Sequence, residues 1–256
     1  MNALEIRGLT KRRGDFALQG LDLTLPAGCI MGLIGENGAG KSTTIRLILN
    51  ALSRDGGTVA VYGKDNRALT PLEREDIGAV LDEVGLPEYM TARQIGRMMA
   101  GIFTRWQPEV YRGYLRRLAL PEDKPFRDFS RGMKMKLGLA AALSHQPKLL
   151  LLDEATSGLD PVVRDEILTI FADFTRDEEH TVLISSHIVS DLEKICDYIA
   201  FLHKGRLLLC EEKDRLTEEY GILRGGTDGI APAAVCGRHA TPARSIWCGA
   251  APCPPV

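Results

Sequence analysis

No apolar run in this 256-residue chain approaches the roughly 20 residues that a membrane-crossing helix needs, and the leucine stretch Leu149–Leu152 is only strand-sized. The start, Met1-Asn2-Ala3-Leu4-Glu5, has neither the basic segment nor the apolar core of a signal peptide. Both absences predict a cytosolic protein, so any membrane role calls for a separate subunit. A basic excess is missing too: 32 Lys and Arg against 34 Asp and Glu leave a net charge of −2, which argues against nucleic acid or a lipid surface as the main partner. The cysteines Cys29, Cys196, Cys210, Cys236, Cys248 and Cys253 form no C-x-x-C pair and have no matching histidine spacing. They read as reduced thiols rather than a metal site or a disulfide framework. What the chain does have is 45% hydrophobic and 26% charged residues, enough to bury one large core or two small ones.

The most informative stretch is Gly35-Glu36-Asn37-Gly38-Ala39-Gly40-Lys41-Ser42-Thr43, set between the apolar run Cys29–Ile34 and the segment Thr44–Leu49. The order predicts a strand, a glycine loop and a helix. Glycines permit positive φ and close approach, so successive N–H groups converge on phosphate oxygens at the positive end of the helix. Lys41 reaches the β- and γ-phosphates and the Ser42 hydroxyl can ligate Mg²⁺. Nucleoside triphosphate binding follows.

Around this loop the pattern alternates between strands and helices. Leu4–Leu9 and Leu21–Leu25 alternate apolar and polar residues, as half-buried strands do, with turns at Gly14-Asp15 and Pro26-Ala27-Gly28. Cys29–Ile34 reads as a strand covered on both faces. A helix is expected over about 41–52 and a strand at 58–62. From Thr91 to about Leu118 the spacing turns helical, with Ile95, Met98, Met99, Ile102 and Phe103, then Val110, Tyr114, Leu115 and Leu118. Strands at Leu149–Leu152, Thr181–Ile184, Tyr198–Leu202 and Arg206–Leu209 restore the α/β pattern, with helices near 161–175 and 190–195. The expected fold is α/β, a P-loop core carrying an antiparallel β subdomain and an inserted α-helical subdomain at about 88–140.

Five motifs then stand in the order and spacing of an ATP-binding cassette, and residues 1–224 resemble the ATP-binding subunit of an ABC transporter. Phe129-Ser130-Arg131-Gly132-Met133-Lys134 is similar to the signature motif, in which Ser130, Arg131 and Gly132 would face an ATP held by the opposite subunit; an ATP-sandwiching dimer is implied. Asp153-Glu154 matches the Walker B pair, implying Asp153 for Mg²⁺ and Glu154 as general base. Asp160, in Ser157-Gly158-Leu159-Asp160, resembles the D-loop aspartate that couples the two sites, and His187 stands where the family places its switch histidine. Two positions depart from the pattern. Arg13 occupies the place of an adenine-stacking ring, with Phe16 as a weaker candidate. Asp82 replaces a glutamine and is expected on the metal side, as a third metal-shell residue with Ser42 and Asp153. The acidic Asp82 and Arg131 are similar to cassettes that pair with small export permeases. His145, His180, His203 and His239 match no motif.

Beyond Arg224 the composition changes: Gly225–Val256 holds 7 Ala, 5 Pro, 5 Gly and 3 Cys. With few aliphatic residues and no periodicity it is expected to be disordered, with a reading-frame change as its origin. The implied function is ATP hydrolysis, with ATP and Mg²⁺, driving a membrane exporter from the cytoplasmic face as a homodimer or heterodimer docked on permease subunits. The alternatives are an ATP-sandwiching subunit of low hydrolytic activity and a soluble ABC ATPase unconnected with transport; no nucleic-acid partner is expected.

Overall fold

In the computed structural model, which describes residues 1–224, 238–241 and 244–250, the long alternating segments at the start pair as an antiparallel hairpin. Strands β1 (Asn2–Arg13) and β2 (Phe16–Pro26) are longer at both ends than the alternation alone predicts. Then come β3 (Ile30–Ile34), α1 (Lys41–Ile48), β4 (Gly56–Val61), β5 (Lys64–Asp65), α2 (Pro71–Arg74) and β6 (Ile77–Val80). Strands β1, β2, β4 and β5 form an antiparallel sheet in the order β2-β1-β4-β5, the expected β subdomain.

A helical block follows, with α3 (Ala92–Ala100), α4 (Pro108–Arg117), a single 3-10 turn at Phe126–Asp128 and α5 (Arg131–Leu143). Thr91 opens α3 with a reciprocal cap: its side chain accepts from the Gln94 N–H while Gln94 accepts from the Thr91 N–H. Pro108 sits in the first turn of α4, where its missing N–H costs nothing.

The chain continues as β7 (Leu149–Asp153), α6 (Pro161–Phe174), β8 (Thr181–Ser186), α7 (Val189–Ile195), β9 (Tyr198–His203) and β10 (Arg206–Glu212). The larger sheet has the order β10-β9-β3-β8-β7-β6, and β9, β3, β8, β7 and β6 pair parallel. Its central strands are buried on both faces and divide their side chains between two cores. Ile30, Ile34, Leu150, Leu152, Val182 and Ile184 join the helical side. Met31, Leu33, Leu149, Leu151 and Leu183 join the side that holds α1 and the antiparallel sheet. This is why these strands read as unbroken apolar runs.

The chain divides into two compact units, Met1–Cys210 and Glu211–Val256. In the second, α8 (Lys213–Glu219) precedes β11 (Tyr220–Arg224), and β12 (Arg238–Thr241) and β13 (Arg244–Ala250) complete a sheet of order β11-β13-β12. Beyond Arg224, where disorder is expected, these two stretches are therefore strands, in segments with too few aliphatic residues to signal a core. The remainder of that expectation, at 225–237, 242–243 and 251–256, lies outside the described residues.

Candidate functional site

Parallel pairing brings the carboxyl ends of β3, β8 and β7 side by side, so the segments that leave them open on one edge of the sheet. These segments are the loop Gly35–Gly40, the pair Asp153-Glu154 and the run Ser185–His187. Local chemistry shapes the loop. Gly40 has φ 113°, and a side chain there would begin 2.8 Å from the Phe16 ring; at Gly35 it would begin 2.4 Å from the Leu202 carbonyl oxygen. Any larger residue would fill the cradle or push it away from β9.

Lys41 is almost fully buried, and its ammonium is compensated on three sides. It donates to the carbonyls of Gly35 at 2.7 Å and Glu36 at 3.3 Å. It also lies 3.1 Å from Glu154 Oε1, an ion pair without the alignment of a hydrogen bond. Glu154 Oε2 is 2.8 Å from His187 Nδ1, an arrangement that places a proton on that ring nitrogen. Glu154 itself has φ 53°, in the left-handed region where a non-glycine residue costs about 1 kcal/mol or more. Ser42 Oγ donates to Asp153 Oδ1 at 3.1 Å, and the buried Ser185 Oγ donates to the same oxygen at 2.6 Å. Thus Lys41, Ser42, Asp153, Glu154 and His187 are brought together at one edge of the sheet.

Asp82 is not brought into contact with Ser42 or Asp153. Its carboxylate accepts a hydrogen bond from the Arg131 guanidinium at 2.9 Å, both side chains being about half exposed. The reason is positional: Asp82 lies two residues past the end of β6, an edge strand of the sheet, within reach of Arg131, the first residue of α5. The same guanidinium packs on Gly158, 3.2 Å from where a side chain would start. Ser130 caps α5, accepting from the Met133 N–H at 3.3 Å. Asp160 caps α6, accepting from the Val163 N–H at 3.0 Å. Gly132 faces Val163. Signature and D-loop segments of one chain are therefore neighbours.

Arg13 is exposed and ends the first hairpin strand, directly opposite Phe16. The ring at the edge of the cradle belongs to Phe16. Ser185 went unread in the sequence, where it looks like the end of an apolar strand; its register opposite Asp153 is set by the parallel pairing of β7 and β8.

The donor set suits magnesium. Ser42 and Asp153 offer hard oxygen atoms, and among the described residues no group of three or more His, Cys, Asp and Glu side chains forms a metal cage of its own. Magnesium typically takes one or two protein ligands and completes its shell with phosphate and water.

Residues 18–157 match the ABC transporter family. The chain belongs to that family. It is 32% identical over 218 residues to the ABC transporter ATP-binding protein YtrB of Bacillus subtilis, covering 85% of this chain and 74% of that protein. It is 35% identical over 225 residues to the Nod factor export ATP-binding protein I of Rhizobium sp. (strain N33), covering 85% and 73%. A solved ATP-binding subunit of an ABC transporter superimposes with a TM-score of 0.73 at 26% identity, covering 84% of this chain and 92% of that one. The cassette is thus an ATP-binding subunit of the ABC type, which works with membrane permease subunits. No helix among its described residues is long and apolar enough to cross a membrane.

Proposed function

We propose that this cassette hydrolyses ATP to drive an export permease, docked on the cytoplasmic face of the cell membrane and paired with a second cassette as a homodimer or heterodimer. The observation that carries the hydrolytic reading is the convergence of Lys41, Ser42, Asp153, Glu154 and His187 at one sheet edge. The N–H groups of Gly35–Thr43 would cradle the α- and β-phosphates, and Lys41 would neutralise the β- and γ-phosphates. Ser42 and Asp153 would hold magnesium, which when bound supplies positive charge against the phosphate oxygens. Glu154 would accept the proton of the attacking water, with His187 beside it to register the γ-phosphate. Phe16 and Arg13 would lie on the base side. Ser130, Arg131 and Gly132 would face the ATP of the opposing cassette, and Asp160 would link the two sites. Given its pairing with Arg131, Asp82 is proposed to act through that residue, coupling the helical subdomain to the site without ligating the metal. The export direction is supported by the relative named for Nod factor export and by Arg131 and Asp82 themselves.

Glu154→Gln tests this reading. The variant should bind MgATP and associate with a second cassette, while turning over at least ~10²-fold more slowly, as loss of a general base requires. Wild-type turnover in Glu154→Gln would remove Glu154 from the reaction.

A further inference from the structure

We propose that Ser185 is a positioning residue of the hydrolytic site, one hydroxyl that fixes both members of the acidic pair. Ser185 is fully buried near the end of β8, directly opposite Asp153 in the parallel register. Its Oγ donates to Asp153 Oδ1 at 2.6 Å and accepts from the Glu154 backbone N–H at 3.0 Å. A serine hydroxyl has a single proton, so a donor bond to Asp153 commits it and leaves only acceptor capacity for Glu154. The two bonds therefore admit one orientation and tie the carboxylate of one residue to the backbone of the next. The second bond falls on Glu154, whose left-handed φ of 53° needs outside support to persist. The Ser185 carbonyl reaches the same N–H at 3.1 Å, so one residue holds the turn from both its side chain and its backbone. Asp153 keeps this donor independently of its bond to Ser42. Buried hydrogen bonds to a charged group are among the stronger ones in a fold, and alanine at 185 would take one bond from Asp153 and one from the Glu154 N–H.

This role rests on Asp153 and Glu154 having the parts proposed above, so both are measured side by side. Ser185→Ala should lower kcat for ATP about tenfold or more with KM changed less than threefold, because Lys41 and the loop N–H groups are untouched. Ser185→Thr, which keeps the hydroxyl, should recover most of the loss. A binding readout accompanies the kinetics: in a Glu154→Gln background, Ser185→Ala should raise the Mg²⁺ concentration that gives half-maximal thermal stabilisation by MgATP by about threefold or more. If Ser185→Ala does not fold, Ser185→Cys, similar in size and a poor donor, takes its place with the same expectation. An unchanged kcat together with an unchanged Mg²⁺ midpoint in the Ala or Cys variant overturns the proposal, as does a loss that Ser185→Thr fails to recover. Full turnover in Glu154→Gln would instead overturn the hydrolytic reading, and the Mg²⁺ midpoint would still decide whether Ser185 holds Asp153.

Discussion

A half-exposed ion pair contributes less than about 1 kcal/mol to folding, so the contact between Asp82 and Arg131 is better judged by what it connects than by what it stabilises. It ties Asp82, two residues past the end of β6, to the first residue of α5, and the same guanidinium rests on Gly158 in the loop before α6. Removing either charge should leave the melting temperature within about 2 °C of wild type. Turnover is expected to behave differently: Asp82→Asn and Arg131→Gln should each slow ATP hydrolysis several-fold, and together no more than either alone, the non-additivity of residues acting as one unit. The reversed pair Asp82→Lys with Arg131→Glu should restore part of the rate. Because Asp82 acts through Arg131 in this account, Asp82→Asn should leave the Mg²⁺ dependence of ATPase activity where it was. A raised Mg²⁺ requirement would return Asp82 to the metal shell, and additive losses would dissolve the pair.

At the scale of elements, α5 carries the signature segment at one end and a buried histidine just past the other. His145 is buried and stacks flat on Phe103, ring centroids 4.1 Å apart, where the end of α5 meets the helical block. Burial pushes its pKa below the ordinary 6.5. The folded state thus favours the neutral ring, so this contribution to stability is complete above about pH 6.5 and is lost as pH falls towards the lowered folded value. His145→Phe should keep the stacked pair while reducing the drop in urea midpoint between pH 7.5 and pH 5; an equal drop in both proteins would show that His145 does not titrate on unfolding. His145 matches no motif in the sequence, because an imidazole facing an aromatic ring has no spacing signal. Elements were legible where burial is two-sided or the helical period is long, as at Leu149–Leu152 and across Thr91–Leu118. Strand β6 was not, since Gly78 interrupts a four-residue segment; that glycine is required because a side chain would begin 2.9 Å from Pro147. The phosphate loop and acidic pair were legible because their chemistry is local in sequence. Ser185 and the Asp82 to Arg131 contact were not, because each depends on which strands and helices the topology sets side by side.

At the scale of the whole molecule, every proposed site residue lies in Met1–Cys210, the last of them being His187. Among the described residues, those of both apolar cores lie in the same unit. Residues beyond Arg224 are poor in aliphatic side chains and contain none of the motifs, so nothing in the chemistry of phosphate binding or proton transfer asks for them. Deleting Gly225–Val256 takes away β12 and β13 and leaves β11 without its antiparallel neighbour. The truncated protein should therefore retain kcat and KM for ATP within about twofold, keep its dependence on Glu154, and unfold within about 2 °C of the full chain, since a shift of 1 kcal/mol in a domain of this size moves Tm by roughly 2–4 °C. The melting curve carries the stronger test, because activity would survive a modest loosening that Tm would register. A drop of several degrees, or a fall in kcat that the full chain does not show, would mean that residues past Arg224 support the cassette.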